Sequence, residues 1–380
     1  MSSMNPQTHI AISAVSKGIV EAIEVATPTP GPGEILLKVA FAAMNPFDAY
    51  MVDLGFAVVE YPVILGFSVA GLVVGVGSGV SSLNVGDRAT AFSPHIFEQG
   101  RKGALQGTTQ EYLVLPDHLC GKIPDNLDLA DAATIPDNFV TAFYTLFDQL
   151  GLPIPQSFPA PSPPPESAVP ILVYGAGSTA GQYAVQLLHS AGYTNVAATA
   201  SSRHHEFLRA LGAAHTIDYA SESFTAEAAA VTGRADGKFI YVLDSISADG
   251  TIAKIAPLIH PSDGKVAILL PIKTGDKVGG STGGMRAQIP DNDNPFAEGV
   301  KIAYAKTFTY REARLLQNEY LKNNLMLKIL PSLLSSGIIT PTRVHLLDQG
   351  TLLDRVNAGL DLMRNNNVNG EKLVVKVASD

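Results

Sequence analysis

The chain has 380 residues, 46% apolar and 16% charged, with a formal net charge of −9 and a single cysteine, Cys120. That balance fits a folded chain of about two domains and not a disordered one. An acidic chain without a basic stripe argues against a nucleic-acid partner, and one cysteine excludes an internal disulfide and a cysteine-rich zinc site.

Low cysteine usage fits a reducing compartment. The first ten residues show no basic region ahead of an apolar run, so a cytoplasmic protein is expected. Residues 61–80 and 167–188 are uncharged and long enough to span a bilayer. Five glycines interrupt the first, and Pro170 with a glycine loop breaks the second. Buried strands explain both, and no membrane association is expected.

In chain order, the first 130 residues read as mostly β. Apolar runs at 35–42, 69–76, 87–92 and 112–115 alternate with turn signals, which predicts a compact barrel-like domain. Residues 131–150 read as one helix. A proline-rich stretch, 152–170, reads as an extended surface spacer. Strands and helices then alternate. Strands are expected at 169–174, 195–199, 216–217, 239–243, 265–270 and 301–308, with helices at 179–191, 204–211 and 248–259. This is the pattern of a doubly wound parallel sheet. Helices near 311–334 and 352–364 follow. A strand at 372–377 is expected to return to the first domain. The expected fold is α/β, with domains at 1–130 and 131–310 and a C-terminal segment at 311–380. Residues 273–294, polar and glycine-rich, read as a cleft lid or a plain surface loop.

The strand at 169–174 runs into Gly175-Ala176-Gly177-Ser178-Thr179-Ala180-Gly181, and a helix follows. Small residues let the backbone approach a pyrophosphate, and the helix N-terminus offers free N–H groups. Two registers fit: Gly175, Gly177 and Ala180, or Gly175, Ser178 and Gly181. An NAD site places a carboxylate at the end of the next strand, to accept from the ribose 2′-hydroxyl. Here that place reads Ser201-Ser202-Arg203-His204, with no acid before Glu206. Ser201, Ser202, Arg203 and the Tyr219 hydroxyl suit a 2′-phosphate, so NADPH is the expected cofactor. His204 and His205 read as solvated residues at a helix start.

Pro30-Gly31-Pro32-Gly33-Glu34-Ile35, Tyr61-Pro62-Val63-Ile64-Leu65-Gly66, Val85-Gly86-Asp87-Arg88, Gln110-Glu111-Tyr112 and Gly370-Glu371-Lys372-Leu373-Val374 resemble the medium-chain dehydrogenase/reductase superfamily. The resemblance covers nearly the whole chain. It is strongest to the zinc-free quinone- and enoyl-reductase branch, including fungal trans-acting enoyl reductases that serve polyketide synthases. It implies a Rossmann domain plus a GroES-like β-barrel-type catalytic domain. Zinc-dependent members carry a cysteine where this chain has Asn45, three residues before Asp48, and a histidine where it has Phe67. Loss of those ligands removes the Lewis acid that alcohol oxidation relies on, and no metal is expected.

The resemblance further places Asn45, Pro46, Asp48 and Thr141 beside the nicotinamide half of the cofactor. It gives Leu269 and Leu270 as backbone contacts to the nicotinamide, and Val368 and Asn369 as a late cofactor contact. Phe47, Phe56, Phe139 and Tyr144 are candidates for the substrate cleft. Tyr50 is a candidate proton donor, although relatives often carry lysine there. The implied reaction is hydride transfer from NADPH to the C=C bond of an enone or a carrier-bound enoyl thioester. Quinone reduction and non-catalytic NADPH binding remain as alternatives.

Overall fold

The computed structural model describes residues 5–95, 104–274, 284–312 and 319–377. The N-terminal part contains β1 (Thr8–Ser16), β2 (Ile19–Ala26), β3 (Glu34–Ala43), α1 (Pro46–Leu54), β4 (Val63–Ile64), β5 (Ser68–Val76), β6 (Arg88–Phe92), β7 (Tyr112–Pro116) and β8 (Cys120–Lys122). Two short helices, α2 (Leu129–Ala133) and α3 (Pro136–Tyr144), lead into the next part. The single helix expected over 131–150 is therefore broken at Thr134-Ile135. Pro136 sits at the first position of α3, where its missing N–H costs nothing.

The central part alternates β9 (Ile171–Tyr174), α4 (Thr179–Ser190), β10 (Val196–Thr199), α5 (His205–Ala210), β11 (His215–Ile217), α6 (Phe224–Ala230), β12 (Tyr241–Asp244), α7 (Asp249–Ile255) and β13 (Lys265–Leu269). A small hairpin, β14 (Ile272–Lys273) with β15 (Met285–Arg286), precedes β16 (Lys301–Ala305). It closes the base of the glycine-rich segment, whose tip lies outside the described residues. The chain ends with α8 (Tyr320–Asn324), α9 (Leu330–Ser335), β17 (Arg343–Leu347), α10 (Leu352–Arg364) and β18 (Glu371–Lys376).

Strands β9 to β13 and β16 form a six-stranded parallel sheet in the order β11-β10-β9-β12-β13-β16. Counted from β9, this is the 3-2-1-4-5-6 order of dinucleotide-binding sheets, with its topological switch between β9 and β12. β9, β10 and β12 are buried at every position, as a sheet covered on both faces requires. The second large sheet has seven strands. Its main path is β17-β18-β3-β5-β6-β8, with β7 also paired to β3. One edge of β3 takes β7 along residues 34–38 and β18 along 41–43, and the other takes β5. The last strand thus returns to the N-terminal sheet. β1 carries β2 and β4 in a separate three-stranded sheet.

Helices α3 and α4 join the two halves. Phe139 and Tyr183, both fully buried, meet edge to face with centroids 6.4 Å apart. Burying each such ring contributes about 2–3 kcal/mol. The Tyr183 hydroxyl accepts from the Thr342 N–H, 3.2 Å away, which ties α4 to the C-terminal part. Among the described residues no helix is long and apolar enough to cross a membrane.

Candidate active site

A cleft of about 270 Å³ lies between the two sheets, at the carboxyl ends of β9, β12 and β13. One side is the glycine loop. Gly175 has φ +75°, and a Cβ there would stand 2.3 Å from Ile246 Cγ1. A Cβ on Gly181 would meet Ala176 Cα and the Gly175 carbonyl at 2.6 Å. Gly177 meets only ordinary contacts, the nearest 3.5 Å away. The chain's own packing therefore requires glycine at 175 and 181, in the register that has Ser178 between them. Ser178 is the N-cap of α4. Its hydroxyl oxygen accepts from the Gly181 N–H at 3.1 Å and its O–H donates to Ser245 Oγ at 3.1 Å. The Thr199 hydroxyl accepts from the Gly175 N–H at 2.9 Å, fixing the loop to β10.

The facing wall comes from α1 and α3. Asn45 is the N-cap of α1, and its side-chain oxygen accepts from the Phe47 N–H at 2.8 Å. Its amide donates to Asp137 Oδ2 at 3.0 Å. Asp137 Oδ2 also accepts from Lys372 Nζ at 2.7 Å, a pair in which both residues are buried. Asp137 Oδ1 accepts from the Asn138 N–H and side-chain amide at 2.8 and 2.6 Å. The Asn138 oxygen in turn accepts from the Thr179 hydroxyl at 2.8 Å. One hydrogen-bonded line therefore runs along the cleft from α1 through α3 to the start of α4. Thr141 donates to the Asp137 carbonyl at 2.6 Å and lies 3.0 Å from the Thr307 hydroxyl. That geometry leaves Thr307, which also lines the cleft, as donor to Thr141.

Tyr50 lines the cleft at 4% exposure, and its hydroxyl has no hydrogen-bond partner among the described residues. Burial pushes its phenol well above the usual value. Phe47, Phe92 and Phe308 form the apolar end of the cleft. Phe47 packs against Phe308 at 5.4 Å and Phe67 at 5.5 Å.

The structure brings Asn45, Pro46, Phe47, Tyr50, Thr141, Ser178, Thr179, Ala180, Leu269 and Leu270 together around this cleft. Other expected residues lie elsewhere. Asp48 turns away from it. Its carboxylate closes the α1 capping box by accepting from Asn45 N–H at 2.9 Å, and it accepts from Gly66 N–H at 2.8 Å. Burial raises its pKa to about 6 against the pull of those two amides. Its place is to brace the α1 start against the Gly66 turn. Phe139 points into the core, against Phe143 and Tyr183. Phe56 stacks behind Phe47, with centroids 5.4 Å apart. Tyr144 is buried, with its hydroxyl accepting from Gln149 Nε2 at 2.9 Å. None of these three lines the cleft.

Ser201, Ser202, Arg203 and Tyr219 gather beyond the glycine loop. The Ser201 and Tyr219 hydroxyls are 3.1 Å apart. Asn369 receives Arg203, while Val368 is partly buried against the core. His204 is no solvated residue: its half-buried ring lies beside Gly177 and Gly370. The predictions missed Asp137, Asn138, Thr307, Phe308 and Phe92. Pro136 was the available signal for the first two, because it marks a helix start and so places Asp137 and Asn138 in a first turn.

A parallel sheet of dinucleotide-binding order joined to a β-rich domain, with the cleft between them, defines the two-domain dehydrogenase plan. Residues 31–125 match the alcohol dehydrogenase GroES-like domain family. A trans-enoyl reductase of Aspergillus japonicus, himH, is 31% identical over 91% of this chain and 90% of its own length. Among solved structures, the CurK enoyl reductase shares the fold at 19% identity, with a TM-score of 0.71 over 98% of this chain and 99% of that one. A quinone oxidoreductase of Pseudomonas syringae pv. Tomato DC3000 does so at 21% identity, with a TM-score of 0.72 over 97% and 99%. The chain belongs to the medium-chain dehydrogenase/reductase superfamily, in its enoyl-reductase branch, and is an oxidoreductase.

Proposed function

We propose that the protein is an NADPH-dependent enoyl reductase acting on the C=C bond of an α,β-unsaturated carbonyl compound or enoyl thioester. The observation that carries this reading is one cleft in which a Tyr50 hydroxyl without a partner among the described residues, and an aromatic end, share the lining with the glycine loop and the β13 end. The residues fit a dinucleotide: the Gly175–Gly181 loop has no room for side chains at its ends and meets only ordinary contacts at Gly177. Gly177, Ser178, Thr179 and Ala180 would hold the pyrophosphate, and Ser201, Ser202, Arg203 and Tyr219 the 2′-phosphate. Backbone groups of Leu269 and Leu270, with Thr141 and Asn45, would hold the nicotinamide half. When bound, NADPH supplies the hydride to the substrate β-carbon.

The chain's own contribution is placement and hydrogen bonding. Phe47, Phe92 and Phe308 pack against the apolar part of the unsaturated chain. Stacking both reactants in reactive geometry supplies much of the rate. Tyr50 stays neutral because burial raises its pKa. It therefore donates a hydrogen bond to the developing enolate oxygen and is a poor source of the α-carbon proton, which comes from water. The relatives' names support an enoyl reductase that acts in trans, the family resemblance makes a polyketide synthase the partner, and the composition supports a cytoplasmic setting.

Aromatic walls also suit a planar quinone, which keeps quinone reduction as the second reading. A panel of enoyl pantetheine thioesters, simple enones and quinones, each with NADPH and NADH, separates the two. Fastest turnover of thioesters or enones with NADPH supports the proposal. Turnover of quinones alone supports the second reading, and NADPH binding without any turnover removes both. Co-expression with a synthase lacking a working reductase tests the partnership, which predicts a more saturated product.

A further inference from the structure

Two arginines from distant parts of the chain meet beside the glycine loop. Arg203 follows β10 of the six-stranded sheet, and Arg343 opens β17 of the seven-stranded sheet. Asn369, just ahead of β18, holds both. Its side-chain oxygen accepts from Arg203 Nη2 at 2.9 Å, and its backbone carbonyl accepts from Arg343 Nη2 at 3.4 Å. Arg343 also lies over the Phe207 ring at 6.0 Å.

Among the described residues, neither guanidinium pairs with a carboxylate. Arg234, Arg286 and Arg364, by contrast, are ion-paired to carboxylates. Asp218, the acid next to Ser202, is held by the Ser202 and Ala220 N–H groups at 3.2 and 2.9 Å. This chain has 35 acidic residues against 26 basic ones, so two converging cations with no anion are not a product of composition. Side by side they repel each other. Neutral acceptors take only part of each fork: Arg203 donates to the Asn369 side-chain oxygen and, through Nε, to His204 Nε2 at 3.3 Å, and Arg343 donates to the Asn369 carbonyl, which leaves further N–H donors on both guanidinium groups. The charge and the donors together call for an anion with several oxygens. Burial and the two arginines push the His204 pKa below its usual value, so this ring adds no third positive charge at neutral pH.

We propose that Arg203 and Arg343 form a two-arginine clamp for a phosphate monoester, and that Arg343 is a second specificity determinant for the NADPH 2′-phosphate. This rests on the NADPH reading above. The clamp takes one arginine from each sheet, so the phosphate bridges the two walls of the cleft as well as marking the cofactor.

The test is calorimetric titration of wild type, Arg343→Gln and Arg343→Lys with 2′,5′-ADP and 5′-AMP, alongside kcat/KM for NADPH and NADH. Wild type is expected to prefer 2′,5′-ADP. Arg343→Gln is expected to lose about 10- to 100-fold in 2′,5′-ADP affinity, the range for a charge-assisted bond, with 5′-AMP affinity held within about twofold. The NADPH-to-NADH ratio should fall by a similar factor, and Arg343→Lys should recover part of both. If wild type prefers 2′,5′-ADP and Arg343→Gln does not change that preference, the clamp is wrong and the NADPH reading stands on Ser201–Arg203. An equal loss for both nucleotides also overturns it. No preference in the wild type overturns the clamp and the NADPH reading together.

Discussion

Replacing Lys372 with methionine keeps the apolar stem and removes the ammonium group from Asp137. The two residues are 3% and 6% exposed and joined at 2.7 Å, so the carboxylate loses the one cation paired with it among the described residues, in a place that water hardly reaches. Breaking one side of a buried ion pair costs about 3–5 kcal/mol. An unfolding entropy of about 2.1 cal/mol/K per residue gives about 0.8 kcal/mol/K for this chain. The thermal midpoint should then fall by about 4–6 °C, read by scanning calorimetry. The double variant Lys372→Met with Asp137→Asn removes both charges and retains an acceptor for Asn45. It should regain most of the loss, since replacing a whole buried pair is often close to neutral. A single variant as stable as wild type would refute the reasoning. So would a double variant no better than the single one, because the penalty would then not come from an unpaired charge.

Tyr50→Phe removes the hydroxyl assigned to the reacting carbonyl, which has no partner among the described residues. We expect kcat to fall about 100-fold with little change in KM, the range for one lost oxyanion donor, and an unchanged kcat removes the role. Gly181→Ala forces a Cβ to 2.6 Å from loop backbone. Loop displacement should cost about 1–3 kcal/mol of stability and weaken nucleotide binding, both measurable by melting with and without NADPH. For Asp48, the folded pKa of about 6 exceeds the usual 3.8, so folding is favoured by protonation. Its contribution is present in full below pH 3.8 and is lost as pH rises through 6. Wild-type stability minus that of Asp48→Asn should therefore decline between about pH 4 and 6 and level off above 7. A difference that is flat across that range contradicts a buried, desolvated carboxylate.

What the residues announced in advance depended on whether local rules decide their placement. The glycine loop was legible because strand, small residues and helix follow one another directly, and the doubly wound parallel sheet followed from the same alternation, although its strand order did not. The α1 helix was missed although Asn45 and Pro46 carry an N-cap and a proline at the first position, because its span is short and shows little periodicity. Asp137 and Asn138 were read as mid-helix residues, and only the break at Thr134-Ile135 turns them to the cleft. Phe139, expected at the cleft, lies in the core, and Phe308, expected only as a strand end, lines the cleft, for a different reason. An aromatic residue signals burial, but not which cavity or core it is buried against. Phe308 reaches the cleft because β16 ends at Ala305 and the chain then turns. Arg343 lies 140 positions from Arg203, and no local pattern links them. Only the return of β17 and β18 to the N-terminal sheet brings them to Asn369.

The central claim is hydride delivery from NADPH to an activated C=C bond. It is tested most directly with NADPH deuterated at the transferable C4 position and a 2-enoyl pantetheine thioester, with the product read by mass spectrometry and NMR. The account predicts a saturated thioester carrying one deuterium at C3 and a solvent-derived proton at C2. Recovery of unreduced thioester, or reduced product without deuterium at C3, would contradict it.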